Sequence, residues 1–97
     1  EKSNTIPENF GTLDLYPNPF NGTLNIGFAV DQKKNSQISI YDITGRLIEK
    51  FAVNDSPQTL IKWDAKNYSG GSLSTGVYIV SLKTNTGVTN KKVLFLK

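Results

Sequence analysis

The chain contains no cysteine and no histidine. Without cysteine there is no disulfide framework and no thiolate chemistry. Without histidine the commonest general base and the commonest transition-metal ligand are both missing. The serines therefore have no base of that kind to activate them, and no carboxylate has a matched partner for hydrolysis. Ser69-Gly70-Gly71-Ser72 is no phosphate loop, because no Gly-Lys-Ser/Thr follows. No enzyme, no cofactor and no metal site is expected. No run reaches the ~18 apolar residues that a membrane helix needs, so no membrane span is expected. Glu1-Lys2-Ser3-Asn4 is polar throughout and is no signal peptide; the sequence reads as an excised domain or a mature fragment.

Charge of one sign is also scarce. The net charge is only +3, and the eleven Lys and Arg residues are scattered. Adjacent pairs occur only at Lys33-Lys34 and Lys91-Lys92. A nucleic-acid binder more often shows a basic stripe interleaved with exposed aromatics, so no nucleic-acid partner is expected.

What is present fits one small β domain. Ninety-seven residues, 37% of them apolar, suffice for one core. Residues 1–12 are polar and without period, and read as a linker from an upstream domain. From residue 13 onward, turn signals recur every 8–15 residues.

Leu13 and Leu15 begin a strand that Pro17 and Pro19 stop. Leu24, Ile26, Phe28 and Val30 alternate with Asn25, Gly27 and Ala29, a clean period of two. Ile38, Ile40 and Asp42 share a face of the next strand, with Ser39 and Tyr41 opposite. Ile43-Thr44-Gly45-Arg46 turns the chain and Leu47 to Val53 returns it. In that return strand Ile48 falls on the wrong face, and a β-bulge would reconcile it with its neighbours. Thr59, Ile61 and Trp63 alternate, then Ala65 to Thr75 forms a polar loop. Tyr78, Val80 and Leu82 alternate with Val77 and Ile79, which predicts a strand covered on both faces. Thr89 to Leu96 is the last strand. The prediction is an all-β fold: an immunoglobulin-like antiparallel β-sandwich of about seven strands over residues 13–97.

Several clusters invite functional readings. In Tyr16-Pro17-Asn18-Pro19-Phe20 the prolines fix φ, force an extended corner and blunt an edge strand. Asp42-Ile43-Thr44-Gly45 reads as a turn, with calcium binding as its rival. Calcium needs six to eight oxygens, and no other acid stands at loop spacing. Trp63-Asp64 closes a strand and reads as core. Its rival is a sugar-stacking platform with Tyr41, Tyr68 and Phe95. Lys91-Lys92-Val93-Leu94-Phe95-Leu96-Lys97 reads as a buried strand, or as one whose face or edge stays available to a partner's sheet.

Taken in order, Tyr16-Pro17-Asn18-Pro19-Phe20, Tyr41-Asp42 with Gly45, Trp63-Asp64, Gly76-Val77-Tyr78 and the Lys91-to-Lys97 end resemble the C-terminal sorting domain of type IX (Por) secretion cargo. The resemblance implies an address tag that directs an attached cargo protein across the bacterial outer membrane. It implies three partners: an outer-membrane translocon with its shuttle protein, a sortase-like surface peptidase that cleaves the tag, and a covalently attached upstream cargo domain. It implies transit through the periplasm to the surface or medium. It assigns recognition to Lys91, Lys92, Val93, Leu94, Phe95, Leu96 and Lys97, and mainly structural roles to the other motif residues. Two departures from the family pattern stand out: Ala65 where Trp-Asp-Gly carries glycine, and Ser74-Thr75 where Pro-Ser is common. A spacer or carbohydrate-binding module of an extracellular enzyme is the alternative.

Overall fold

The period-two stretches become strands because one face of each buries β-branched and aromatic side chains while the other meets solvent. A computed structural model describes residues 12–30, 36–53, 59–85 and 87–97. Residues 31–35 and 54–58, and all of the predicted 1–12 linker but Thr12, fall outside these residues.

Seven strands are described. They are β1 (Thr12–Tyr16), β2 (Leu24–Ala29), β3 (Gln37–Asp42), β4 (Leu47–Ala52), β5 (Leu60–Trp63), β6 (Gly76–Thr84) and β7 (Gly87–Phe95). Two sheets form, one ordered β1-β2-β5 and the other β4-β3-β6-β7. All strand pairs are antiparallel. This is the immunoglobulin-like sandwich that the sequence predicts.

The core lies between the sheets. Leu24, Ile26 and Phe28 of β2 face Ile38 and Ile40 of β3 and Tyr78, Val80 and Leu82 of β6. Burying each such aliphatic or aromatic side chain contributes roughly 1.5–3 kcal/mol. The expected bulge is present: Ile40 pairs with Glu49 but Tyr41 pairs with Leu47, leaving Ile48 unpaired. That slip turns Ile48 inward, where it is buried.

One expectation is corrected. Val77 and Ile79 do not lie under a second layer: Val77 is exposed and Ile79 half-buried. Among the described residues nothing covers the outer face of the four-stranded sheet, and what looked like double coverage is an apolar surface.

Ala65 occupies the left-handed region at φ +59°. That explains the family's glycine here, since a Cβ in this region costs roughly 1–2 kcal/mol. Ala65→Gly relieves that strain. It also raises unfolded-chain entropy, costing about 0.4–1 kcal/mol, and loses a buried methyl worth about 0.8 kcal/mol. The terms nearly cancel, so urea unfolding should place the variant within about 1 kcal/mol of the parent. A loss above about 2 kcal/mol would mean the methyl group packs more tightly than its transfer energy implies.

Candidate functional site

The motifs converge on one end of the sandwich. Pro17 and Pro19, both after cis peptide bonds, end β1 and carry the chain from the three-stranded sheet to the edge of β7. Phe20 then pairs in parallel with Phe95. Its amide donates to the Leu94 carbonyl at 3.0 Å, and its carbonyl accepts from the Leu96 amide at 2.8 Å. The Asn18 side chain extends the ladder by imitating a peptide group. Its Oδ1 accepts from the Leu94 amide at 3.1 Å, and its Nδ2 approaches the Lys92 carbonyl at 3.4 Å. Asn18 and Phe20 thus act as a short strap along the outer edge of β7.

Behind the strap four motif aromatics form one cluster. The Phe20 ring lies 5.0 Å from Phe95 and 5.8 Å from Trp63. Tyr78 meets Trp63 edge-on at 6.0 Å. The polar ends are satisfied at the margin: Trp63 Nε1 donates to the Lys66 carbonyl and the Tyr78 hydroxyl to Ser74. Burial, and then the Asp42 charge, push the Tyr78 hydroxyl above its ordinary pKa. Trp63 is only 2% exposed. The sugar-platform reading therefore loses its central residue. Phe95 is also buried, Tyr41 is half-buried, and Tyr68 alone is strongly exposed.

The Asp42 carboxylate is committed to its own turn. Oδ1 accepts from the Thr44 amide and hydroxyl and from the Arg46 amide. Oδ2 faces Arg46 Nε at 3.3 Å. The Thr44 hydroxyl, then the Arg46 amide, hold the carboxyl below its usual range. Gly45 takes φ +88°, which the turn requires. Gly76 opens β6 opposite Phe95, with open space where a side chain would stand. Tyr16 is half-exposed and Asp64 lies on the surface.

The Lys91-to-Lys97 segment divides by parity. Val93 and Phe95 are buried. Lys92, Leu94 and Leu96 face outward, with Leu94 half-buried and Leu96 more exposed. Lys91 and Lys97 are exposed, and the Lys97 amide is tied to Thr75 Oγ1 at 2.8 Å. The reading of this strand as free along its edge is therefore corrected: from Lys92 to Leu96 the chain's own strap occupies that edge. Among the described residues nothing covers its outer face. Nothing local in the sequence announced the strap, because Asn18 and Leu94 stand 76 positions apart.

The sequence model of the secretion system C-terminal sorting domain matches residues 14–96. The chain belongs to that family. Two solved Porphyromonas gingivalis proteins share its fold. One is PorZ, an essential bacterial surface component of the type IX secretion system: TM-score 0.69, 23% identity, 88% of this chain and 11% of PorZ. The other is dimeric latent PorU: TM-score 0.66, 25% identity, 89% of this chain and 9% of PorU. This sorting domain thus spans about a tenth of either protein. No curated protein matches the chain. As a type IX sorting domain it serves export to the cell surface or extracellular space, and interaction with the secretion system follows from that role.

Proposed function

We propose that this sorting domain is read as a folded unit through β7, by an outer-membrane translocon and its shuttle protein. The Lys91-to-Lys97 segment carries the recognition, with Lys92, Leu94 and Leu96 presented outward while Val93 and Phe95 anchor the strand. The single observation behind this reading is that split, which lets one strand hold the fold and display a pattern. The cargo is attached upstream, with residues 1–12 as linker. The tag folds in the periplasm, crosses with its cargo, and a sortase-like surface peptidase then removes it. No reaction is assigned to the domain itself.

The test joins the 97-residue chain behind a periplasmic reporter in a bacterium with type IX secretion. Deleting Val93 to Lys97 would be ambiguous, because it removes buried Val93 and Phe95. Reversing Lys91, Lys92 and Lys97 to Glu is cleaner, since exposed charges contribute at most about 1 kcal/mol each to folding. The triple variant should fold, by circular dichroism and thermal melting, and leave the reporter in the periplasm. A folded variant that exports normally would overturn the reading.

A further inference from the structure

We infer that the whole outer face of the β4-β3-β6-β7 sheet, and not β7 alone, docks a protein surface that offers both apolar side chains and carboxylates. This rests on the reading of β7 as a recognition strand and extends it across three further strands.

Register defines the face. One cross-strand row runs Leu47, Tyr41, Ile79, Lys92, and the next holds Val77 beside Leu94. These rows make an apolar half in which Leu47 is 36% and Val77 38% exposed. The other half is mixed: Lys50, Ser39, Ser81 and Asn90 form one row, and Ala52, Gln37, Lys83 and Val88 form the row beyond, with Val88 53% exposed. Lys50, Lys83 and Lys92 come from three different strands and are all exposed.

No carboxylate answers them among the described residues of this face. Glu49 pairs with Ile40 and so belongs to the core side. Asp42 pairs with Tyr78, and its carboxylate is held by Thr44 and Arg46. A face bearing three cations and no anion fits a partner that supplies the anions. The strap adds a reason for side-chain docking. With the edge from Lys92 to Leu96 already paired, a partner meets that stretch through outward side chains rather than through added main-chain hydrogen bonds.

A protein partner fits better than an anionic bilayer. Most of the apolar side chains lie within a sheet, crossed by the Ser39-Ser81-Asn90 row, and in the described turn between β3 and β4 Ile43 alone stands out as an exposed apolar side chain. Exposed apolar and basic side chains share this face, as apolar and polar groups share a protein interface.

The decisive pair of variants changes net charge equally, the first on the four-stranded sheet and the second on β5 and its following loop. Lys50→Glu/Lys83→Glu alters the proposed face without substituting a residue of β7 and well away from Lys91 to Lys97, since Lys83 pairs with Val88 at the other end of that strand. Lys62→Glu/Lys66→Glu alters exposed lysines on β5 and the loop after it. Both go behind the periplasmic reporter, with melting temperature of the purified chain as the folding control. The first pair should lower reporter export by about tenfold, the effect of one decade in affinity, and the second by less than about twofold.

If Lys50→Glu/Lys83→Glu exports like its control while Lys92→Glu fails, only β7 is read. The face is then overturned and the β7 reading stands. If Lys92→Glu also exports normally, both fall. Flotation with vesicles of one part phosphatidylglycerol to three parts phosphatidylcholine should leave the chain unbound. Binding that Lys50→Glu/Lys83→Glu abolishes would assign the face to a lipid surface and overturn the protein partner.

Discussion

Trp63→Ala should cost this domain ~3–5 kcal/mol, the usual range for truncating a buried aromatic. The ring is 2% exposed and meets both Phe20 and Tyr78. Removal loses its transfer energy, opens a cavity between the sheets and strands the rings that packed on it. The Lys66 carbonyl also loses the indole N–H that it accepts. A domain of this size holds only ~5–15 kcal/mol in total. At roughly 4–8 °C per kcal/mol the midpoint should fall by tens of degrees. Thermal melting followed by far-ultraviolet circular dichroism checks this. A loss under 1 kcal/mol would put the side chain in solvent and return the sugar-platform reading to consideration. Because the domain is exported as a folded tag on the present proposal, the same variant should also retain its reporter in the periplasm. It does so through unfolding, which is why it says nothing about recognition.

Much of this fold is written locally. The Leu24-Ile26-Phe28 alternation is enough to define β2, and all three side chains are buried. The misfit at Ile48 was legible too. An apolar residue out of phase in a half-buried strand has few remedies, and the bulge opposite Ile40 and Tyr41 is the one used. The strand covered on both faces was misread at Val77 and Ile79. A run apolar at every position is the same whether its second face meets another layer or meets a partner outside the chain. Periodicity reports that a face is apolar and is silent about what covers it. The sorting motifs were legible as a set, yet their reason was not. Tyr16-Pro17-Asn18-Pro19-Phe20 and Lys91-to-Lys97 lie at opposite ends of the chain, and the hydrogen bonds that join them cross more than 70 positions. Likewise the glycine-to-alanine departure at Ala65 looked incidental in sequence. It falls at a position with positive φ, where glycine has a physical advantage.

Phe20→Ala should produce the second large effect, and of a different kind. Phe20 is 2% exposed, so truncation should cost ~3–5 kcal/mol by the same cavity argument. The two losses should not add. Phe20 and Trp63 are in ring contact, and such aromatic pairs couple by roughly 0.5–1.5 kcal/mol. Phe20 also anchors the strap, since its ring sits between Phe95 and Trp63 while its main chain pairs with Leu94 and Leu96. Without the ring the strap loses its hold, and the edge from Lys92 to Leu96 presents unpaired amides and carbonyls. An exposed strand edge next to apolar side chains invites pairing with another chain. Phe20→Ala should therefore self-associate with concentration in sedimentation velocity, and the Leu94 and Leu96 amides should exchange hydrogen faster relative to those within β3. Asn18→Ala separates the two roles. It removes the peptide-like side chain but leaves the ring, so it should cost about 0.5–1.5 kcal/mol per lost hydrogen bond. It should speed exchange at Leu94, whose amide donates to Asn18, and spare Leu96, whose amide donates to the Phe20 carbonyl. Equal exchange rates for Leu94 in the parent and in Asn18→Ala would mean that Asn18 does not close this edge. The strap would then reduce to the Phe20 ring alone.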